Sequence, residues 1–288
     1  MPPAVRGVTQ ADWPNAFPAE VRPIVSAIVG GSPFARSLTP IPTGRTGVTF
    51  PLVDNVTDPA WGGELSEVPV LDLESGEYDA AVSRLSGSIL ISEESLSDAD
   101  WPISAQVEQV IHDTFSSKLE RDFIGGAGPH PVPTGILRVA AEVAGADLEL
   151  AAAKAKAEIG TRGGEATSIA LSPALIGDLE SARDTLGRAL YPDAATTFAG
   201  LETVRSVAAT QAVVYDATRL FIVINRDFSA EMTPYVSEAW NRYAQSLRVV
   251  GRFALAAPMP LKSVRKLAVA DDSTRQAGEP AKRTAAKS

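Results

Sequence analysis

Two strand-like segments that flank an acidic, glycine-containing stretch are the feature that most constrains this fold. In residues 47–54 Val48, Phe50 and Leu52 alternate with Thr49, Pro51 and Val53, and a second alternating run extends from Tyr78 to Ile91. This alternation predicts two β-strands that pair as a long hairpin, with Pro51 at an edge position because proline cannot donate to a ladder. A two-stranded hairpin is only marginally stable by itself. The segment therefore needs a surface to lie on, which we interpret as a sign of oligomer assembly.

Charge is distributed unevenly along the chain, whose formal net charge is −9. Residues 51–100 contain twelve carboxylates and a single basic residue, Arg84, whereas the stretch from Lys262 onward is mainly basic. The excess of negative charge argues against a protein that holds DNA phosphates over a broad surface. An acidic front and a basic end can attract one another between copies of the chain. The alternative interpretation is that the acidic and the basic stretch are both solvated surfaces that do not contact each other.

The clearest helix is predicted over residues 98–124. Apolar side chains recur there about every four residues, Ser97, Asp98 or Asp100 can cap the start, and Gly125 follows the end. At about 1.5 Å per residue, such a helix is long enough to act as the spine of a domain.

The second half of the chain alternates between shorter helical and strand-like segments. This order predicts a mixed sheet in a second unit. The predicted elements are a helix at 147–159, a strand at 166–172, a helix at 173–187, strands at 203–209, 212–218 and 220–227, and strand character from 236 to 269.

The two ends of the chain differ from the rest. Many prolines interrupt residues 1–35, and only in 20–28 do apolar side chains share a helical face. We therefore expect one short helix within an arm that has no core of its own. From Asp271 onward the chain is polar and is expected to be a disordered tail.

Patterns that carry catalysis or metal binding are scarce. There is no cysteine, the two histidines His112 and His130 belong to no HExxH-like set, and GxSxG and GxxxxGK[ST] motifs are absent. The carboxylates of 54–79 are candidates for a divalent cation, but without DxDxDG spacing a solvated acidic loop is the favoured interpretation. No apolar run predicts a membrane span, and the first residues lack a signal-peptide pattern. We expect no catalytic residue, metal or cofactor.

Four short motifs stand out by their order along the chain. They are AWGGE at 60–64, ILISEESLSD at 89–98, FIGG at 123–126 and PTGIL at 133–137. In this order they resemble the major capsid proteins of tailed bacteriophages with the Hong Kong 97-type fold, which encapsulin shells share. The resemblance covers roughly residues 20–270, and it lies in the order and spacing of the motifs, since no single motif is decisive.

The resemblance implies an α+β, Hong Kong 97-like capsid fold with five parts. These are an N-terminal arm at 1–40, an extended loop (the long β-hairpin) at 41–97, a peripheral domain with the long spine helix at 98–137 and 236–270, an axial domain at 138–235, and a disordered tail at 271–288. The implied function is structural and not enzymatic. Pentamers and hexamers would self-assemble into an icosahedral shell that encloses phage double-stranded DNA.

The resemblance also implies partners and a location. The implied partners are other copies of the chain, a separate scaffolding protein, a portal, cementing proteins, and packaged DNA held non-specifically on the inner face, with no membrane partner. The implied location is the virion capsid, after assembly in the cytoplasm of the host bacterium. Some relatives link a lysine of the extended loop covalently to an asparagine of a neighbour. Because no lysine precedes Lys118 here, we predict that this bond is absent.

Two complementary surfaces are predicted for contacts between subunits. The predicted contact residues on the extended loop are Asp58, Trp61, Glu64, Glu67, Asp72, Glu74 and Arg84. The candidate partner surface consists of Arg242, Arg248, Arg252, Lys262, Arg265 and Lys266.

Three alternative functions stay open at this point. An encapsulin-like compartment would hold cargo enzymes in place of DNA. An α/β hydrolase-type enzyme with its core at 138–235 would need a clustered acid, base and nucleophile. A minor virion or tail component would form rings or tubes and not closed shells.

Overall fold

Helices and strands alternate along the chain in an α+β order. The computed structural model describes residues 20–22, 31–56, 61, 73–94 and 103–269. Its strands are β1 (Glu20–Arg22), β2 (Thr39–Pro42), β3 (Gly47–Val56), β4 (Leu73–Ala81), β5 (Ser83–Ser92), β6 (Ala141–Gly145), β7 (Ser168–Leu171), β8 (Thr197–Phe198), β9 (Leu201–Arg205), β10 (Val213–Tyr215), β11 (Phe221–Thr233), β12 (Ala244–Ala256) and β13 (Val264–Val269). Its helices are α1 (Pro33–Ser37), α2 (Ile103–Gly125), α3 (Ile136–Val139), α4 (Leu148–Thr161), α5 (Pro173–Ser181), α6 (Ser237–Trp240) and α7 (Pro260–Ser263).

The longest strands form one sheet, which we call the long-strand sheet. β11 and β12 pair antiparallel along most of their lengths, β5 pairs with the other edge of β12, and β1 and β2 pair with successive parts of β11. Alternate residues of a strand point to opposite faces. One face carries the buried side chains of Phe228, Leu247, Val249 and Phe253. We call this the inner face and the opposite one the outer face.

The helix α2 covers the inner face and is called the spine helix below. Its side chains Ile111, Leu119 and Phe123 are buried in the main hydrophobic core. The ring of Phe115 meets that of Phe228 edge-on, with 5.4 Å between the ring centroids. The four-residue spacing that predicts this helix also gives it the apolar stripe that it buries.

The spine helix ends where the chain turns tightly. The amide of Gly126 donates to the carbonyl of Asp122 at 2.9 Å. A Cβ atom at position 126 would collide with the carbonyl oxygens of Asp122 and Pro133. Only glycine fits there, and the predicted end of the helix is confirmed.

A second sheet consists of the shorter strands in the order β6-β13-β10-β7-β9-β8. It contains both parallel and antiparallel pairs, so a mixed sheet is present as predicted. The strand predicted over 220–227 is not part of it, because that segment lies in β11 of the long-strand sheet. The helix α4 packs on one face through the fully buried Ala151 and Ile159. Asp147 caps this helix, because its Oδ1 accepts the amide of Leu150 at 2.7 Å. The other face, with Tyr215, joins the core beneath the spine helix.

The long strand predicted from Tyr78 to Ile91 is two strands with different partners. β4 pairs with β3 as predicted, whereas β5 pairs with β12 in the long-strand sheet, so the prediction that the whole run pairs with residues 47–54 is wrong. The change of partner occurs at Val82, whose amide donates to the carbonyl of Thr46 at 3.0 Å. The alternation of side chains in the sequence does not mark this change of partner, because the residues on both sides of Val82 form strands.

Two predicted helices differ from the structure. The helix predicted over 173–187 is shorter and ends with α5, because the Asp184 carboxylate accepts the amides of Leu186 and Arg188 and closes a turn. The helix predicted over 20–28 is wrong for its first residues, which form β1 and pair with β11. The remainder of that helix, the candidate caps of the spine helix and the predicted C-terminal tail lie outside the described residues.

Candidate functional site

The predicted hairpin is present, and its base rests on its own subunit. β3 and β4 pair antiparallel along their lengths. The ring of Phe50 stacks on that of Phe221 with 5.3 Å between centroids, and Tyr78 packs in the same cluster with Ala254 and Ala256. The base of the hairpin therefore finds the surface that it needs on its own subunit, and the interpretation of that need as a sign of oligomer assembly does not hold for this part of the segment.

The predicted contact residues of the hairpin are only partly placed. Glu74 lies in β4 opposite Asn55. The indole of Trp61 is fully exposed, and an exposed tryptophan is typical of contact surfaces. The predicted contact residues outside the described part of the chain are Asp58, Glu64, Glu67 and Asp72.

Arg84 lies in the long-strand sheet and not in the hairpin. It is directly opposite Arg252 of β12, which is in turn opposite Arg226 of β11. Residues opposite one another in antiparallel strands point to the same face. The pair of Arg226 and Arg252 lies between two register shifts, and the Arg226 guanidinium is 3.5 Å from Glu231, whose partner across the strands is Arg248 on the outer face. Three guanidinium groups therefore form a row across the outer face, and we call Arg84, Arg226 and Arg252 the arginine row. Sequence reasoning missed this row because strand pairing, and not strand periodicity, brings the three arginines together.

One carboxylate lies beside the arginine row. Glu231 accepts a short hydrogen bond from Arg248, which is its partner across the two strands, and its other oxygen is 3.5 Å from Arg226. No carboxylate described by the structure lies within ion-pair distance of Arg84 or Arg252. The outer face therefore keeps an excess of positive charge.

Arg242, another predicted partner residue, is exposed in the connection between β11 and β12. The same connection exposes the large side chains of Tyr235, Val236, Trp240 and Tyr243. Such a concentration of exposed apolar side chains is typical of protein–protein contacts. The segment YVSEAWNRY at 235–243 shows this concentration of aromatic residues in the sequence. It falls almost entirely within the range for which the sequence predicts strand character.

The assignment of Arg265 to the partner surface is wrong, because its side chain is 1% exposed. The guanidinium donates to Glu158 at 3.0 Å and to the carbonyls of Leu261 and Val264 at 2.7 Å each. These hydrogen bonds connect β13 to α4 and α7. Arg265 therefore acts inside the subunit.

The two lysines of the predicted partner surface are half-buried. Lys266 pairs with Glu142 at 3.1 Å, and Lys262 lies in α7. The predicted partner residues that stay at least partly exposed on the long-strand sheet or its connection are Arg242, Arg248 and Arg252.

Among the described residues, no three His, Asp or Glu side chains lie close enough together to hold a metal ion. His112 lies on the spine helix with Nδ1 3.0 Å from the Asp113 carboxylate, and hydrogen bonds from His112 and Gln109 lower the pKa of Asp113.

None of the helices in the described part of the chain combines the length and apolar character needed to span a bilayer.

Comparison with known proteins gives a consistent result. The Phage capsid family model matches residues 17–244. The fold is similar to a structure from Mycobacterium phage Bobi, with a TM-score of 0.71 and 16% identity over 93% of this chain and 100% of that chain. A structure from Microbacterium phage Oxtober96 has a TM-score of 0.72 and 13% identity over 92% of this chain and 100% of that chain. The capsid of a native GTA particle, computed with C5 symmetry, has a TM-score of 0.68 and 15% identity over 92% of this chain and 95% of that chain. No curated protein matches the chain.

Proposed function

The chain belongs to the phage capsid family, and from this premise we propose that its copies assemble as pentamers and hexamers into an icosahedral shell that encloses phage double-stranded DNA. Members of this family are structural shell proteins and not enzymes, so the chain is a structural protein of the virion capsid. Self-assembly is the activity that the fold has to support.

The five parts of the Hong Kong 97-type fold belong to this proposal. They are the arm at 1–40, the extended loop at 41–97, the peripheral domain at 98–137 and 236–270, the axial domain at 138–235 and the tail at 271–288. The spine helix and the long-strand sheet fit the peripheral part, and the six-stranded sheet fits the axial part. Two strands are exceptions. β13 lies in the peripheral range but pairs with β6 and β10, and β11 lies in the axial range but pairs with β12 in the long-strand sheet.

The observation that carries the proposal is the hairpin. Its base packs on its own sheet through Phe50 and Tyr78, whereas β3 and β4 form a separate two-stranded sheet and pair with no other strand that the structure describes. A ribbon of two strands is marginally stable without a further surface. An adjacent copy supplies that surface in a closed shell, where many weak contacts add up to a stable assembly.

Charge and family membership favour this function over the alternatives. A subunit that lines packaged DNA should not bind it tightly, and a net charge of −9 suits that role. The encapsulin-like compartment is not favoured, because the matching family is that of phage capsids. The hydrolase alternative lacks support for the same reason.

The proposal includes further partners, which follow from the family and not from contact geometry. They are a separate scaffolding protein, a portal, cementing proteins, and DNA held non-specifically on the inner face of the shell. Assembly takes place in the cytoplasm of the host bacterium.

Shortening the hairpin tests the proposal. Val56 is opposite Leu73, so a two-residue Asn-Gly turn can replace residues 57–72 and close the hairpin without disturbing its base. Negative-stain microscopy should show closed shells for the wild-type chain, expressed alone or with a candidate scaffolding protein. The shortened variant should keep its circular dichroism spectrum but form no shells. A wild-type chain that stays monomeric under all conditions, or shells of the shortened variant in wild-type yield, would contradict the proposal.

A further inference from the structure

The buried face of the spine helix is not apolar throughout. Ser116 and Glu120 lie one helical turn apart on it and are 4% and 7% exposed. Ser206 contacts Glu120 through a hydrogen bond and is itself 1% exposed. Ser206 begins the segment 206–212 between β9 and β10, which we call the β9–β10 connection. A buried polar seam therefore lies between the spine helix and this connection.

The seam satisfies the Glu120 carboxyl poorly. Ser206 Oγ accepts the amide of Ala208 at 3.2 Å, so the single hydroxyl proton of Ser206 is available for Glu120. Oε1 of Glu120 has no partner among the described atoms. An ionised carboxylate has acceptor sites for about four hydrogen bonds, and a buried charge that lacks them is costly. The seam therefore suits the neutral acid better than the carboxylate.

The surroundings of the seam supply no balancing charge. Burial, which raises the pKa of Glu120, and the hydrogen bond with Ser206, which lowers it, are the influences on that pKa, and none of the described basic groups contributes. The β9–β10 connection, with the sequence SVAATQA, contains no charged residue. A charge on Glu120 would therefore have to be stabilised by water.

Charged and titratable groups of the neighbouring elements do not change this conclusion. They are His112, Asp113, Lys118, Arg121 and Asp122 of the spine helix, Arg36 of α1, Glu202 and Arg205 of β9, and Tyr215 of β10. Lys118 pairs with Asp122 at 2.6 Å, and the three arginines are exposed. The charges of Glu202 and Glu120 both raise the pKa of Tyr215. The sheet therefore presents acidic and neutral groups to the seam.

The β9–β10 connection is fixed at its two ends. The amide of Ser206 donates to the carbonyl of Leu171 in β7 at 2.9 Å. The carbonyl of Ala212 accepts the amide of Leu267 in β13 at 2.8 Å. Both ends are thus tied to strands of the six-stranded sheet, and a movement of the connection would be confined to its middle.

The middle of the connection is next to solvent. The amides of Ala208 and Ala209 both donate back to Ser206, to its hydroxyl and its carbonyl. Val207 is 86% exposed. Solvent therefore lies one residue away from the seam, and water reaches Glu120 once the middle of the connection moves away from the spine helix.

We propose that Glu120 is a latch, which holds the β9–β10 connection against the spine helix while its carboxyl is neutral and releases the connection when the carboxyl ionises. The closed state has the higher pKa, so closure is favoured below the pKa of the open state and is lost as the pH rises through the pKa of the closed state. The inference goes beyond the proposed function and does not depend on it, because the latch acts within one subunit. In the proposed shell the connection belongs to the axial domain, whose local conformation would then depend on pH.

Amide hydrogen exchange of the unassembled subunit tests the latch. Exchange is followed from about pH 5 to about pH 8 and corrected for the intrinsic rate at each pH. Glu120→Gln keeps the side chain neutral at every pH, and Glu180→Gln is the matched control because Glu180 is exposed in α5. The helix α4 is the reference within each molecule. The carbon-13 shift of the Glu120 carboxyl in the wild type gives a second measurement that needs no variant.

The expected result is a loss of protection confined to residues 206–212. In the wild type and in Glu180→Gln, protection there should fall by about tenfold or more over this pH range, since each unit of difference between the pKa values of the two states is worth a factor of about ten. Glu120→Gln should stay protected throughout. The carboxyl shift should titrate over the range in which protection is lost.

A third variant addresses the mechanism. Ser206→Ala removes the hydrogen bond that lowers the pKa of Glu120, so it should carry the loss of protection to higher pH. A merely structural role of Ser206 would speed exchange equally at every pH, and that result would contradict the latch.

Three other outcomes would overturn the inference. They are an equal fall of protection in Glu120→Gln, a wild-type connection whose protection is independent of pH, and a fall that α4 shares, which would mean that ionisation loosens the whole fold. None of these outcomes bears on the formation of shells, so the latch and the proposed function fail or stand separately.

Discussion

Glu120 is the residue whose ionisation bears most directly on the core. Its side chain on the spine helix is 7% exposed, it is hydrogen-bonded to Ser206, and its Oε1 has no partner among the described atoms. Burial raises the pKa of Glu120, and the hydrogen bond with Ser206 opposes part of that shift. Because the pKa is higher in the folded state, this group stabilises the fold below its unfolded-state pKa, and that stability is lost as the pH rises through the folded-state pKa.

We therefore expect Glu120→Gln to stabilise the subunit at neutral and basic pH. The amide carries no charge to desolvate, so the melting temperature should rise by about 2–4 °C near pH 8. The decline in stability from about pH 4 to pH 8 should also become flatter. Thermal unfolding of the unassembled subunit measures both effects, with Glu180→Gln in the exposed part of α5 as the control. An unchanged pH dependence in Glu120→Gln would show that this carboxyl is not its source.

Arg265 illustrates why charge in a sequence does not identify a surface. Its guanidinium binds the carbonyls of Leu261 and Val264 and the carboxylate of Glu158. Arg265→Met would leave the two carbonyls without donors, so we expect the free energy of unfolding to fall by about 2–3 kcal/mol. The neighbouring Lys266→Met should change it by about 0.5 kcal/mol or less, since its ion pair is partly exposed. Urea unfolding of the unassembled subunit decides the matter, and equal losses in the two variants would contradict the internal role of Arg265.

Among the elements, those with a strong period could be predicted and those defined by their partners could not. The spine helix follows from its four-residue spacing, and α4 follows from its composition and the Asp147 cap. The run from Tyr78 to Ile91 was correctly read as strand, but its change of partner at Val82 depends on the long-strand sheet, which forms only when β12 arrives from far along the chain. The arginine row was missed for the same reason, since its members come from three separate strands.

The base of the hairpin should behave as an element that can detach from the subunit. Phe50 holds it by stacking on Phe221. We expect Phe50→Ala to increase amide hydrogen exchange in 47–56 and 73–81 by about tenfold, while the spine helix keeps its protection. Thr49→Ala on the opposite face of β3 removes only a hydrogen bond to Asp79 and is the control. Faster exchange throughout the chain would instead mean that the hairpin base stabilises the whole fold.

At the level of the whole molecule, the two larger sheets share one core. Tyr215 of the six-stranded sheet and Phe228 of the long-strand sheet both pack in the cluster that contains the spine helix. Packing of this kind resists relative movement of the sheets within a subunit. The hairpin, with its small separate cluster, and the outer face are therefore the parts of the described subunit best suited to contacts that form and break between copies.

Such contacts between copies should stay non-covalent. An isopeptide bond between a lysine of the hairpin and an asparagine of a neighbour would need a lysine in residues 41–97, and the first lysine of the chain is Lys118. Assembled particles boiled in SDS should therefore give one band at 30.2 kDa, and intact-mass measurement should detect no loss of ammonia. Unheated particles, which should stay at the top of the gel, are the control for assembly. A ladder of bands at multiples of the monomer mass that persists after boiling would mean that another nucleophile forms a covalent bond between copies. The shell would then be stabilised by covalent bonds and not only by charged and apolar contacts.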